Sequence, residues 1–218
     1  MKSPYPPSSE NKLQHISLRN VIKRYGPKTI LEIDRLDIDS GDAIFLYGRN
    51  GGGKTTLIRI LAGTITVSKG SVTRSKESRK FNTVFIPQNG GLYRQMTVKE
   101  NFQIWAHLYK QTFGNDIEKQ WVVQKLGMEK YLETKVRELS GGLFKLVAIA
   151  CGISVNPQAL MLDEPFSGVD EKNRDRLHSA FEDLQGNLEF FVLTGHRPAD
   201  SISMNKQIRL SRGSISND

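Results

Sequence analysis

Apolar and polar residues alternate, cluster and then switch period along the chain, and each change marks a different element. After a Pro- and Ser-rich stretch over residues 1–12, "ISLRNV" and "TILEIDRLDID" read as strands, the second by its alternation. "AIFLY" is apolar throughout, as a strand covered on both faces must be. "KTTLIRILAG" then shifts to a helical period, with Gly63 placed as its C-terminal cap. "TVFIPQ" reads as a further strand.

From about residue 97 to 155 the pattern is helical. In "TVKENFQIWAHLYK", Thr97 and Glu100 have capping-box spacing, and Val98, Phe102, Trp105 and Tyr109 fall on one face. Strands return in "ALMLD", "LEFFVLT" and "QIRL". Between the first two, Leu177, Ala180, Phe181 and Leu184 define an amphipathic helix with Gly186 just past its end. The scheme is a β-rich start, an α/β core, an inserted helical block at about 97–155, and more α/β core. It contains no internal repeat and no coiled coil. The reading expects a loose tail over 1–12 and a single domain over 13–218.

The net charge of +8 favours anionic partners, a nucleotide, a nucleic acid or a phospholipid surface. "RSKESRK", Arg74 to Lys80, reads first as a solvated loop. The one cysteine, Cys151, lies in an apolar run, excludes an internal disulfide and reads as a buried hydrophobe. No apolar stretch approaches a membrane span, and the N-terminus lacks the apolar core of a signal peptide. Any membrane role is therefore expected to come through a partner.

"GRNGGGKTT" follows the buried strand and opens the helix, matching G-x-x-x-x-G-K-[ST]. Gly48, Arg49, Asn50, Gly51, Gly52 and Gly53 supply a backbone that curls around phosphate oxygens, and the helix N-terminus adds its positive end. Lys54 is placed to bridge β- and γ-phosphates, Thr55 to offer a hydroxyl to Mg²⁺, and Thr56 completes the loop. The spacing does not fit a dinucleotide-binding fingerprint. In "ALMLDEP", Asp163 ends an apolar strand and Glu164 follows it. Asp163 is placed to hold Mg²⁺ and Glu164 to orient an attacking water.

The order of these motifs, together with "KRYGPKTIL", "IPQ", "LSGG", "SGVD" and "LTGH", resembles the ATP-binding subunits of ABC transporters over nearly the whole chain. The resemblance implies an α/β P-loop NTPase core of the RecA-like kind, with an N-terminal antiparallel β subdomain and the inserted helical subdomain. It implies a Mg²⁺-dependent ATPase in which Tyr25 stacks on adenine, and Gln88 senses Mg²⁺ and links to the membrane partner. In isolation "RELSGGLFK" is a turn before a helix. Under the resemblance, Ser140, Gly141 and Gly142 close over the γ-phosphate held by a second subunit, and Asp170 acts across that dimer. His196 stands where the family's switch histidine reaches the γ-phosphate; His15, His107 and His178 have no such setting.

The implied partners are a second ATPase subunit and an integral membrane permease, with the chain cytoplasmic and peripheral at the inner face of the cell membrane. "MTVKENFQIWAHLYK" is similar to exporter-type members, including haem-export proteins, and no C-terminal regulatory domain is expected. Two readings compete, an ATPase of the same superfamily acting on nucleic acid and a non-catalytic scaffold. The first usually carries two cassettes or a long coiled coil, and the second is opposed by Gln88, Glu164 and His196 together. One departure stands out. Leu143, Phe144 and Lys145 follow the glycines where the family usually continues with Gln and then basic or amide residues. Leu143 gives up an amide contact of roughly 0.5–1.5 kcal/mol, which is expected to weaken dimer closure.

Overall fold

The computed structural model describes residues 15–74, 82–111, 116–196 and 204–216. The expected tail over 1–12 and nearly all of the basic loop over 74–80 lie outside these residues.

Two sheets divide the strands. β1 (His15–Tyr25), β2 (Lys28–Asp39) and β4 (Lys69–Arg74) form an antiparallel sheet in the order β2-β1-β4. The hairpin turns at Gly26 and Pro27, and pairs His15 with Asp39 and Tyr25 with Lys28. In β2 the alternation holds as Leu31, Ile33, then slips to Leu36, Ile38. Opposite the slip, Asn20 takes a left-handed conformation at φ 48°. β4 was not anticipated from the pattern, because only Val72 of "KGSVTR" turns inward. Edge strands need no apolar stripe.

The second sheet has the order β5-β6-β7-β3-β8-β9. β3 (Asp42–Tyr47), β5 (Thr83–Ile86), β6 (Ala159–Leu162), β7 (Phe190–Gly195) and β8 (Lys206–Ser211) run parallel, and β9 (Ser214–Ser216) returns antiparallel to β8. Both faces of the central strands are covered, so the alternation sorts buried residues into two cores rather than core and solvent. Ala43, Phe45, Leu160, Leu162, Phe191 and Leu193 face one core. Ile44, Leu46, Ala159, Met161, Phe190 and Val192 face the other. The first core takes α2 (Val98–Leu108), α3 (Trp121–Leu126), α4 (Gly141–Ser154) and α5 (Glu171–Gln185). The second takes α1 (Lys54–Leu61) and the antiparallel sheet.

The local signals held where they were chemical. Thr97 and Glu100 make the reciprocal capping box at 3.1 and 2.7 Å. Gly63, at φ 73°, closes α1 in a Schellman motif, with Gly63 N–H donating to Ile60 and Thr64 N–H to Arg59. Gly186 does end α5, but in a right-handed conformation at φ −69°, so no glycine-specific turn is used there. The helical block is also more broken than its pattern, with 3₁₀ turns at 117–119, 129–131 and 136–138 between α2 and α4.

α4 is the apolar centre of the first core, buried from Lys145 to Ser154. It approaches β5 so closely that a Cβ on Gly152 would meet Ile86 Cδ1 at 2.5 Å. Cys151 is fully buried, and burial pushes its thiol well above the usual range. Among the described residues no helix is long and apolar enough to cross a membrane.

Candidate functional site

The parallel strands β3, β5, β6 and β7 deliver the chemistry-bearing residues at their carboxyl ends, at one edge of the sheet. Gly48 follows β3, Gln88 follows β5, Asp163 and Glu164 follow β6, and His196 follows β7.

The phosphate loop rests on the last strands. Gly48 sits at φ 146°, where a Cβ would meet the Leu210 carbonyl oxygen of β8 at 2.1 Å. A Cβ on Gly52 would meet the Arg49 carbonyl oxygen at 2.9 Å and the Leu210 carbonyl oxygen at 3.2 Å, and Gly213 N–H donates to Gly52 O at 3.2 Å. Gly53 takes φ 99°, with Leu31 Cδ2 2.5 Å from where its Cβ would stand. Gly51, at φ 75°, meets nothing. The loop is therefore fixed by close approach of backbone at Gly48 and Gly52 and of the Leu31 side chain at Gly53, and open at Gly51. Lys54 is buried, and its Nζ donates back into the loop, to Gly48 O at 2.9 Å and Arg49 O at 3.3 Å. A cleft of about 390 Å³ opens here, lined by Asn50 to Thr56 with Lys28, Ile30, Gln88 and Glu164.

Asp163 is 4% exposed, and both its oxygens accept hydroxyl protons, from Thr55 at 2.8 Å and Thr194 at 2.7 Å. Thr194 Oγ1 also accepts from Glu164 N–H at 2.8 Å, so one hydroxyl ties together two successive acidic residues. Glu164 has φ 51°, a left-handed conformation costing a non-glycine residue roughly 1–2 kcal/mol. Its carbonyl accepts from Lys145 Nζ at 2.8 Å and from Ser167 N–H at 3.2 Å. Its carboxylate has Gln88 Nε2 at 3.0 Å on one oxygen and His196 Nε2 at 3.1 Å on the other. Every polar atom of Glu164 thus has a partner, supplied from α4, from the loop after β5 and from the end of β7. Burial pushes the Lys145 ammonium down, opposed by the charges of Glu164 and Asp163.

The expected members do not all converge. Gln88, Glu164 and His196 meet directly, and Thr55 meets Asp163. Tyr25 ends β1 half-exposed, with Lys23 Nζ 5.0 Å from its ring centroid, and is not among the residues lining the phosphate-loop cleft. Ser140, Gly141 and Gly142 are likewise not in that lining. Ser140 caps α4, accepting from Leu143 N–H at 3.3 Å, and Gly141 is exposed beside it. Gly142 packs on the segment after Glu164, with the Gly168 carbonyl 3.3 Å from where its Cβ would stand. Asp170 caps α5, accepting from Asn173 N–H at 3.0 Å and Asn173 Nδ2 at 2.7 Å, and these bonds lower its carboxyl.

The odd residues after the signature glycines acquire roles. A Cβ on Gly90, two residues beyond Gln88, would meet the Phe144 ring at 2.5 Å, and Arg94 lies over that ring at 5.1 Å. Phe144 thus seats the loop that carries Gln88. Lys145 and Thr194 were missed as site residues because their partners are remote in sequence; "LTGH" offered Thr194 only as a neighbour of His196. Two other histidines have plain settings, His15 between Asp37 and Asp39, and His178 stacked on Phe166 at 4.7 Å.

Comparison with known proteins agrees with this arrangement. The family described as ABC transporter matches residues 31–167, more than half the chain. The spermidine/putrescine import ATP-binding protein PotA of Pasteurella multocida is 33% identical over 93% of this chain. Its counterpart from Haemophilus influenzae is 34% identical over 96%. The chain spans 57% and 59% of the length of these two relatives. Among solved structures, the dimeric bacterial ABC transporter cassette MJ0796 overlays with a TM-score of 0.80 at 23% identity, covering 93% of this chain and 97% of that one. A bacterial Atm1-family ABC exporter with ATP bound overlays at 0.80 with 18% identity, over 98% of this chain and 40% of that one.

The chain belongs to the ABC transporter family and has the fold of its ATP-binding cassettes. The exporter likeness read from "MTVKENFQIWAHLYK" finds no support in these relatives, whose names say import. The exporter structure, at its low identity, carries the fold alone.

Proposed function

We propose that this chain is the ATP-binding and ATP-hydrolysing subunit of a transporter whose channel is a separate membrane protein. The observation that carries the reading is Glu164, held at the mouth of the phosphate-loop cleft between Gln88 and His196. Asp163, the Thr55 hydroxyl and the Gln88 amide oxygen are hard oxygen donors, and a site with one carboxylate suits Mg²⁺ completed by phosphate and water. Among the described residues no group of three or more His, Cys, Asp or Glu is placed to hold a metal ion, so an ion here would draw most of its oxygens from nucleotide and solvent. When bound, Mg²⁺ neutralises charge on the β- and γ-phosphates.

The chain's own residues then do the following. Loop N–H groups over Gly48 to Thr56 cradle the phosphates, and Lys54 leaves the Gly48 and Arg49 carbonyls for the β- and γ-oxygens. Tyr25, exposed at the end of β1, is free to stack on the base. Glu164 accepts the hydrogen bond of the attacking water and orients it. His196 and Gln88 hold that carboxylate and face the γ-phosphate. Ser140, Gly141 and Gly142, at the N-terminus of α4, close over the γ-phosphate of a second subunit, with Asp170 at the same junction.

The permease contact fits an apolar cleft of about 220 Å³ lined by Gly91, Leu92, Tyr93, Trp105, Leu108 and Tyr109. Leu108 and Tyr93 are 65% and 55% exposed, an expense of apolar surface that a docked segment removes. The cleft wall is stiff, because the fully buried Asn101 accepts from Tyr93 N–H at 2.8 Å and donates to Tyr93 O at 3.1 Å. Through this contact the chain sits at the inner face of the cell membrane. The names of the curated relatives support uptake as the direction.

Glu164→Gln and Lys54→Ala test the reading together. Glu164→Gln is expected to bind ATP and accumulate as a dimer holding intact ATP; turnover at the wild-type rate overturns the role of Glu164. Lys54→Ala is expected to lose ATP affinity, and unchanged binding overturns the phosphate-loop role. Co-purification of a membrane protein that Leu108→Glu releases tests the docking cleft.

A further inference from the structure

We propose that Lys145 is a positioning residue for Glu164, through which α4 governs the aim of the carboxylate that follows β6. The inference rests on the reading that Glu164 orients the attacking water, and adds a link between the two half-sites of a dimer.

Four observations carry it. Lys145 is only 9% exposed, although a lysine is ordinarily solvated, and its ammonium donates to the Glu164 carbonyl at 2.8 Å. The acceptor is the carbonyl of a residue at φ 51°, a backbone conformation that needs outside support. The N–H of the same residue is held from β7 by Thr194, so Glu164 is gripped from two elements at once. Finally, Lys145 lies within the second turn of the helix that begins at Ser140, about 7 Å along the axis from it.

The physics runs in one direction. A hydrogen bond from an ammonium is stronger than one between neutral groups, and a buried ammonium leaves its acceptor reluctantly. While the bond is in place, Glu164 keeps its left-handed backbone, and its side chain stays between Gln88 and His196. Releasing the carbonyl lets φ relax and swings the carboxylate out of line. A helix moves as a rod over this distance, so a γ-phosphate seated on Ser140 to Gly142 by the other subunit shifts Lys145 with it. Nucleotide in one site thereby adjusts the water-orienting group of the other.

The test uses the full chain with Mg²⁺ and ATP. Lys145→Met keeps the side-chain length and removes the donor, whereas Lys145→Arg keeps a donor. The expected result for Lys145→Met is a kcat lower by about tenfold or more, with KM for ATP within about threefold, and recovery to within about threefold in Lys145→Arg. In ¹⁵N-labelled protein, the Glu164 amide resonance and its HN–Hα coupling, which reads φ, are expected to move in the Met variant and return in the Arg variant. A Met variant with wild-type kcat, or with an unmoved Glu164 amide, overturns the proposal. Should Lys145→Met not fold, Lys145→Ala stands in under the same criteria. A wild-type chain that binds ATP without turnover defeats the proposed function instead, and the amide signal then decides the positioning role alone.

Discussion

Gln88 Nε2 donates to Glu164 Oε2 at 3.0 Å, closing the gap between the strand end of β5 and the strand end of β6. The loop that carries Gln88 is seated on Phe144 of α4, and its next residues line the cleft proposed to dock a permease. A push on that cleft therefore has a short mechanical route to the carboxylate. Gln88→Ala is expected to lower kcat by about tenfold while leaving ATP affinity within about threefold, since a hydrogen bond to a charged group contributes roughly 1.5–3 kcal/mol. Steady-state turnover and equilibrium nucleotide binding, measured side by side, check it.

The glycines of the phosphate loop are unequal, and substitution separates them. Gly48→Ala puts a Cβ 2.1 Å from the Leu210 carbonyl at a φ of 146°, so the loop has to shift. ATP affinity is expected to fall by at least about tenfold, that is, by about 1.4 kcal/mol or more. Gly51→Ala meets no neighbour and bears only the left-handed backbone cost of roughly 1 kcal/mol, so its binding curve stays close to wild type. A fluorescent ATP analogue titrated into both variants distinguishes a shaped loop from a merely flexible one.

Leu143 is partly buried against the first core, beside the Ser140 cap. Replacing it by Gln restores an amide at the rim of the half-site at little packing cost. In a Glu164→Gln background, Leu143→Gln is expected to tighten the ATP-held dimer by about two- to tenfold, the equivalent of one neutral hydrogen bond. Sedimentation equilibrium measures it, and an unchanged dimer constant removes position 143 from the interface.

Acid stability has a local source in the antiparallel sheet. Arg35 and then Arg19 hold the Asp37 carboxyl well below the usual carboxylate range, through bonds of 2.6 and 2.7 Å. A carboxyl depressed in the folded state takes up protons more readily when unfolded, so its contribution is complete above about pH 4 and fades as pH falls below that value. Asp37→Asn is expected to lower Tm near neutrality and to flatten its decline below pH 4, where the variant and wild-type melts converge. Thermal melts across that range test the sign.

What the sequence made legible was whatever is local. The phosphate loop is nine contiguous residues, and its geometry follows from glycine placement and one lysine. The capping box at Thr97 and Glu100 and the stop at Gly63 are decided within a turn or two of helix. β4 escaped because an edge strand with one inward residue leaves no alternation, and the short 3₁₀ turns escaped because they share the helical period. Asp170, expected at a dimer junction, caps its own helix, a role not anticipated from the sequence. Lys145 and Thr194 were invisible as site residues for a different reason. Each acts on the backbone of Glu164, and no pattern of side chains announces where a backbone will need support.

The contact between Gly48 and Leu210 also orders events during synthesis. The phosphate loop leaves the ribosome well before its floor, a carbonyl of β8, and its brace, the Gly213 N–H. Until that hairpin has emerged and slid alongside β3, the loop lacks the surface that shapes it. A nascent chain stopped before β8 thus carries the sequence of the loop without the surface that gives it its shape.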